Sequence, residues 1–200
     1  MNFNRTSLSQ DLLKVRLVSS EEIAENWQLD ITSFENSNLT LEQVVSWWNK
    51  YKKGVYALYN NSEVLGYISC WPVTFAAYEG LISGVKLEHQ ICDKDIVSDP
   101  KLAEQSYWYI GSIMLSIKYR KSRLLIKFLN DSIVNILIDL KSDKEISLCA
   151  FAYSLEGERI LSRLKFDKHL EACQSSHGHS IYIAKLTVEN LKMQLMLAIP

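Results

Sequence analysis

Tyr107-Trp-Tyr-Ile-Gly-Ser-Ile-Met-Leu-Ser-Ile117 followed by Lys118-Tyr-Arg120-Lys-Ser-Arg-Leu-Leu125 is the stretch that decides the fold of this chain. The first part is rich in aromatic and β-branched residues and reads as one long strand, Tyr107 to Ile117. The second part carries four cations, Lys118, Arg120, Lys121 and Arg123. After it, Leu124, Leu125, Phe128, Leu129, Ile133, Ile136, Leu137 and Leu140 recur every three or four residues. That spacing predicts an amphipathic helix of about five turns. A helix N-terminus offers unpaired N–H groups and partial positive charge, which suit an anion. Cations in a first turn oppose the helix dipole, so four of them there point to an anionic partner.

Upstream, Val15-Arg-Leu-Val18 alternates as a short strand. Ser19 with Glu22 forms a capping box that opens a helix to about Phe34, and Thr40 with Gln43 forms a second one. The second helix carries Trp47, Trp48 and Tyr51, and Gly54 is placed to end it as a left-handed residue. Val55–Tyr59 and Val64–Trp71 flank Asn60-Asn-Ser-Glu63 and predict a hairpin. Pro72 is expected to stop the second of these strands. Residues 74–106 mix apolar pieces with an acidic patch (Asp93, Asp95, Asp99, Glu104) and read as an insertion with some local structure: a substrate lid, a dimer contact or a decorated surface loop. Downstream, Ile146–Ala152 reads as a buried strand. Leu155–Leu164 reads as a helix with Ser154 as N-cap. Phe166–Cys173 and Ser180–Leu186 read as a closing antiparallel pair. The organisation is an N-terminal arm (1–14), one domain (15–186) and an amphipathic tail (187–200) suited to docking on a neighbouring subunit in a homodimer.

The 200 residues are 48% apolar and 22% charged, with a formal charge of −1. That balance suits one globular domain with its own core and does not favour nucleic acid or an anionic membrane. No run approaches the roughly 20 apolar residues that span a bilayer. Four cysteines, at 70, 92, 149 and 173, form no C-x-x-C pair and no zinc spacing, so no metal is expected. Cys70 and Cys149 lie in apolar runs and read as buried thiols. The N-terminus lacks a signal peptide's apolar core, and a reducing cytoplasm is the expected location.

The order of elements resembles that of the GCN5-related N-acetyltransferase superfamily over residues 15–186. Two local matches carry the resemblance. Ile113-x-Leu115-x-Ile117-x-Tyr119-Arg120 is similar to the end of the family's fourth strand, and Ala152-Tyr-Ser154-x-Glu-Gly157-x-x-x-Leu161-x-Arg-Leu-Lys165-Phe166 to its fifth strand, fourth helix and closing Leu-Gly-Phe. Lys165 stands in the glycine position. The resemblance implies an α+β, three-layer fold: a mixed, mostly antiparallel sheet with a splayed strand pair and flanking helices. It also implies acetyl-CoA as acyl donor and a small-molecule or peptide amine as acceptor.

The family's coenzyme loop, Gln/Arg-x-x-Gly-x-Gly/Ala, corresponds here to Arg120-Lys121-Ser122-Arg123-Leu124-Leu125. The lead arginine matches, but Arg123 and Leu125 replace both small residues, where glycine allows close approach of phosphate. Either Arg120, Lys121 and Arg123 supply side-chain charge to the phosphates, or the fold serves as a non-catalytic coenzyme-sensing or protein-binding module. Transfer of another acyl or aminoacyl group is a third reading. The resemblance assigns Met114, Leu115 and Ile117 to the donor as well, with the N–H of Met114 or Leu115 at the thioester carbonyl. The family's acid position falls on Leu161, so that role is absent from its usual place. Tyr153 is the substitute candidate, or else a core aromatic. Ser154 is the second catalytic candidate, or else a plain N-cap. The strand 107–117 holds no carboxylate. Tyr109 is expected in the acceptor cleft, and Glu79, Glu88 and His89 are candidate bases by proximity, or else solvated loop residues.

Overall fold

The long strand is present as β4, Ser106–Leu115, and it is the middle strand of a seven-stranded sheet. The computed structural model describes residues 13–33, 39–61, 63–102, 105–116, 124–176 and 178–197. The other strands are β1 (Leu13–Leu17), β2 (Val55–Asn60), β3 (Glu63–Val73), β5 (Glu145–Ala152), β6 (Asp167–Leu170) and β7 (Ser180–Thr187). Their order across the sheet is β1-β2-β3-β4-β5-β7-β6. Every neighbouring pair is antiparallel except β4–β5, which is parallel. The helices are α1 (Ile23–Ser33), α2 (Leu41–Lys50), α3 (Phe75–Ile82), α4 (Leu124–Ile136), α5 (Leu155–Arg163) and α6 (Val188–Leu197). This is the expected mixed, mostly antiparallel three-layer α+β architecture.

Alternate residues of β3 and β4 face opposite layers. On one face Trp47 of α2 meets Trp71 edge-on with ring centroids 5.8 Å apart, and Tyr78 of α3 meets Tyr107 at 5.1 Å. On the other, Cys70, Ile110 and Leu148 pack against Ile133 and Ile136 of α4 and Leu191 of α6. Burial of these side chains is the main force holding the layers together. Cys70 and Cys149 are buried free thiols, as their apolar surroundings predict. The tail forms α6, and its Val188 and Leu191 are buried within this chain.

Local signals placed most elements, with informative exceptions. Thr40 and Gln43 form the full capping box at α2. At Ser19 half of the box forms: its N–H donates to Glu22 Oε2 at 3.0 Å. Three turn residues then precede α1, and the last of them, Glu22, is held by Arg16 at 2.7 Å. Gly54 is not left-handed. A Cβ there would sit 2.3 Å from the Trp71 ring, so the glycine makes room for an indole rather than a turn. Pro72 does not stop β3, which pairs Pro72 with Trp108 and runs to Val73. The β2 ladder ends at Ser69, so no second neighbour demands an N–H from Pro72. The predicted five-turn helix ends at Ile136 and continues through Leu137 and Leu140 as buried turns. The closing strand is also shorter than predicted, at Asp167–Leu170. Lys165 takes the left-handed conformation, φ 62°. Its N–H reaches Ser162 O at 3.1 Å and that of Phe166 reaches Leu161 O at 3.0 Å, the paired bonds of a Schellman ending.

Residues 74–102 are pinned rather than loose. Thr74 caps α3, and the Thr74 N–H donates to Asp95 O at 2.8 Å. Asp95 of the acidic patch is itself bound by Lys86 at 2.7 Å.

Candidate functional site

The parallel ladder between β4 and β5 stops at Ile110↔Ala150, although both strands continue. At the same point β4 bulges: Ser69 pairs with Ser112 and Cys70 with Ile110, leaving Gly111 as the extra residue. Bulges re-aim side chains and end pairing. Beyond Gly111 the Ser112 N–H donates to Ser69 Oγ at 2.9 Å and the Ser116 N–H to Leu65 O at 2.7 Å, both toward β3. Alternation along a strand then turns the Ile113 and Leu115 N–H groups toward the edge that β5 has left, and the Met114 N–H toward β3.

A polar cluster surrounds the bulge. Asp30 of α1 accepts from the Tyr67 hydroxyl and from Ser112 Oγ, the latter at 2.9 Å. Glu88 reaches in from the short 3-10 turn Glu88–Gln90. That turn is tied to α2, because Gln43 Nε2 donates to His89 O at 2.6 Å and Trp47 Nε1 to Ile91 O at 3.2 Å. The Tyr153 hydroxyl, just past β5, donates to Glu88 Oε2 at 3.0 Å. Glu88 Oε1 is shielded from solvent with no hydrogen-bond partner, and so is the nearby Tyr109 hydroxyl. A Cβ at Gly111 would lie 2.8 Å from Ser69 Oγ and 3.1 Å from Glu88 Oε1, so glycine is what lets the carboxyl approach the strand. Beside the cluster lies a pocket walled by Trp27, Leu39, Trp47 and Trp71, with Asp30 and Glu88 in its lining.

Burial and the nearby Asp30 charge push the Glu88 carboxyl up to about 8, against the hydrogen bond it accepts from Tyr153. Glu88 is only half-buried as a residue, but its shielded Oε1 accounts for the desolvation. Burial, with the carboxylates Asp30 and Glu88 alongside, holds Tyr67 and Tyr109 respectively well above the usual phenol range. Tyr153 is raised for the same reasons. These phenols therefore remain hydrogen-bond donors. His179 packs its ring 4.3 Å from that of Tyr153, and partial burial lowers its basicity.

The predicted residues fall as follows. Tyr153 is 39% exposed and is not a core aromatic. Ser154 caps α5, accepting from the Gly157 N–H at 3.1 Å. Met114 and Leu115 are buried in the open half of β4. Leu124 and Leu125 open α4. Ile117, Arg120, Lys121, Ser122 and Arg123 lie outside the described residues, as do the side chains of Leu124 and Leu125. Leu161, at the family's acid position, is core. Of the three candidate bases, Glu88 joins the cluster and Glu79 is exposed, while His89 contributes its carbonyl to Gln43. Asp30, Tyr67, Ser69 and Ser112 were not singled out as site residues by the sequence. A carboxylate on an amphipathic helix and a serine in a strand carry no local signal for a shared site. Among the described residues no three His, Cys, Asp or Glu side chains assemble as a metal site, and no helix is long and apolar enough to cross a membrane.

No family model matches this sequence, and no curated protein matches it. Solved structures do. The NatC complex bound to Gag peptide and CoA contains a chain that aligns at TM-score 0.58 and 13% identity, over 88% of this chain and 98% of that one. Ard1 from Thermoplasma volcanium aligns at TM-score 0.58 and 11% identity, with the same coverage. Arabidopsis thaliana NAA60 in complex with acetyl-CoA aligns at TM-score 0.57 and 15% identity, over 88% and 99%. With its parallel strand pair opening at a bulge in an otherwise antiparallel sheet, the chain has the fold of the GCN5-related N-acetyltransferases.

Proposed function

We propose that this protein transfers an acetyl group from acetyl-CoA to a primary amine of a peptide or small molecule. The observation that carries the proposal is the opening of β4 from β5 after Ile110, directly beside the Glu88–Tyr153 contact. An opening of this kind turns strand N–H groups toward a cleft, and aimed donors stabilise a developing oxyanion by several kcal/mol, about 3 for one good donor. Met114 and Leu115, on the open half of β4, are the candidate positions for the donor to the thioester carbonyl. Arg120, Lys121, Ser122 and Arg123, at the entry to α4, are the candidates for the pyrophosphate, with side-chain charge standing in for the glycines of the family loop.

Solved neighbours hold CoA with a peptide and acetyl-CoA, which makes a peptide acceptor a natural first test. The cytoplasmic setting rests on four free cysteines. A homodimer remains part of the proposal through the exposed Met193 of α6, and light scattering on the purified chain reads it directly. Calorimetric titration with acetyl-CoA, followed by thiol release with peptides and aliphatic amines, tests the function. Binding that weakens on Arg120→Glu, with turnover of at least one amine, supports it. Binding without turnover of any amine supports the non-catalytic sensing module instead. Absence of both binding and turnover overturns the proposal.

A further inference from the structure

We infer that Glu88 is the base that takes a proton from the acceptor's ammonium, and that Tyr153 passes a proton to the departing thiolate. The inference rests on the acetyltransferase function proposed above, and it assigns a role that β4, which has no carboxylate, cannot fill. Three positional facts carry it. Glu88 lies beside Gly111, where β4 leaves β5. Its Oε1 is shielded from solvent at the bulge, next to Gly111, and no hydrogen bond holds it there. Its Oε2 already holds the Tyr153 hydroxyl at 3.0 Å. One carboxyl therefore joins the amine side of the opening to the β5 side, where a leaving group must go.

The proton count closes. The ammonium R–NH3+ gives a proton to the Glu88 carboxylate, and the freed lone pair forms the C–N bond at the thioester carbonyl. The C–S bond breaks, and the thiolate takes the Tyr153 hydroxyl proton. Tyr153 recovers a proton from the Glu88 carboxyl across their hydrogen bond. The second proton lost from nitrogen passes to water. The products are the N-acetyl amine and free CoA thiol, and both side chains return to their starting states.

The titration of Glu88 fits this task. Its ordinary carboxylate value is raised to about 8, and a base is most effective when its pKa lies near the working pH and near that of the group it deprotonates. Peptide α-amines titrate at about 8. The groups facing Glu88 are Asp30 from α1, Tyr67 and Tyr109 from the sheet, and Tyr153 with His179 behind it. Among the described residues the charge nearest Glu88 is the Asp30 carboxylate, which favours a positively charged acceptor beside the pair.

The test is steady-state thiol release from acetyl-CoA with peptides bearing a free α-amine and with aliphatic amines, for wild type, Glu88→Gln, Glu88→Asp and Tyr153→Phe. The wild-type rate should rise with pH through a limb at about 8. Glu88→Gln should lose at least ~10²-fold in kcat and lose that limb, with acetyl-CoA affinity by calorimetry unchanged. Glu88→Asp should recover part of the rate with the limb shifted. Tyr153→Phe should lower kcat and leave KM near wild type. A wild type that turns over, with Glu88→Gln keeping both the limb and its rate, overturns this assignment and leaves the acetyltransferase function standing. A wild type that neither binds acetyl-CoA nor turns over overturns both.

Discussion

The two halves of β4 differ in what holds them. From Ser106 to Ile110 the strand is clamped between β3 and β5, with Trp108 and Tyr109 fully buried. From Gly111 to Leu115 it keeps β3 alone, and polar groups gather on it: Ser112, Ser69, Asp30 and Glu88. The clamped half is stabilised by packing. The open half places groups that are costly to bury, because a carboxyl oxygen without a partner loses its hydration for no return. One strand thus anchors the core and, a few residues later, opens it, and the bulge at Gly111 marks the change.

The largest effect that separates the halves is expected in the clamped one. Trp108→Ala should cost about 3–5 kcal/mol, seen as a lower denaturation midpoint at unchanged slope. Gly111→Ala tests the hinge itself. The new methyl meets Ser69 Oγ and Glu88 Oε1, and it should cost about 1–3 kcal/mol by overpacking. Turnover should fall more steeply, by ~10²-fold, because small displacements at reacting groups are amplified. A loss of turnover no greater than the loss of folded protein would remove the distinction between the halves.

Glu88→Gln probes the cost of the open half without touching packing. A carboxyl raised from 4.5 to about 8 favours its proton in the folded chain. Its contribution is fully present below the ordinary value and is lost as pH rises through about 8. The glutamine variant should therefore melt higher than wild type, with a gap that widens from about pH 4.5 to about 8, levels off above that, and reaches on the order of 1 kcal/mol. A constant gap would mean that Glu88 does not titrate there. The smallest change is a control away from the strand. Lys165→Gly should add about 1 kcal/mol by relieving a left-handed lysine, raising the melting temperature with the Glu88 pH dependence intact.

The parts of the fold legible in the sequence were those set by neighbours along the chain. Thr40–Gln43, the Asn60–Glu63 turn and the strand-to-helix passage after β4 are signalled within a few residues, where periodicity and capping act. Gly54 and Pro72 obeyed a different authority. Gly54 answers to the Trp71 ring and Pro72 to the end of the β2 ladder, contacts no local rule contains. The site divides in the same way. The cation-rich entry to α4 and the vacancy of the family's acid position at Leu161 were readable. Glu88 was visible only as one of three nearby candidates.

What the sequence by itself determined is the order of elements, with α4 following β4, because hydrophobic period and cap chemistry are local properties of the chain. What only the tertiary structure decided is which polar groups meet at the opening. Tyr153 and Glu88 stand 65 residues apart, and Asp30 of α1 meets Ser112 across 82 residues of chain. Their protonation depends on shared burial and mutual charge, and those exist only once the sheet has closed β3 against β4 and let β5 go.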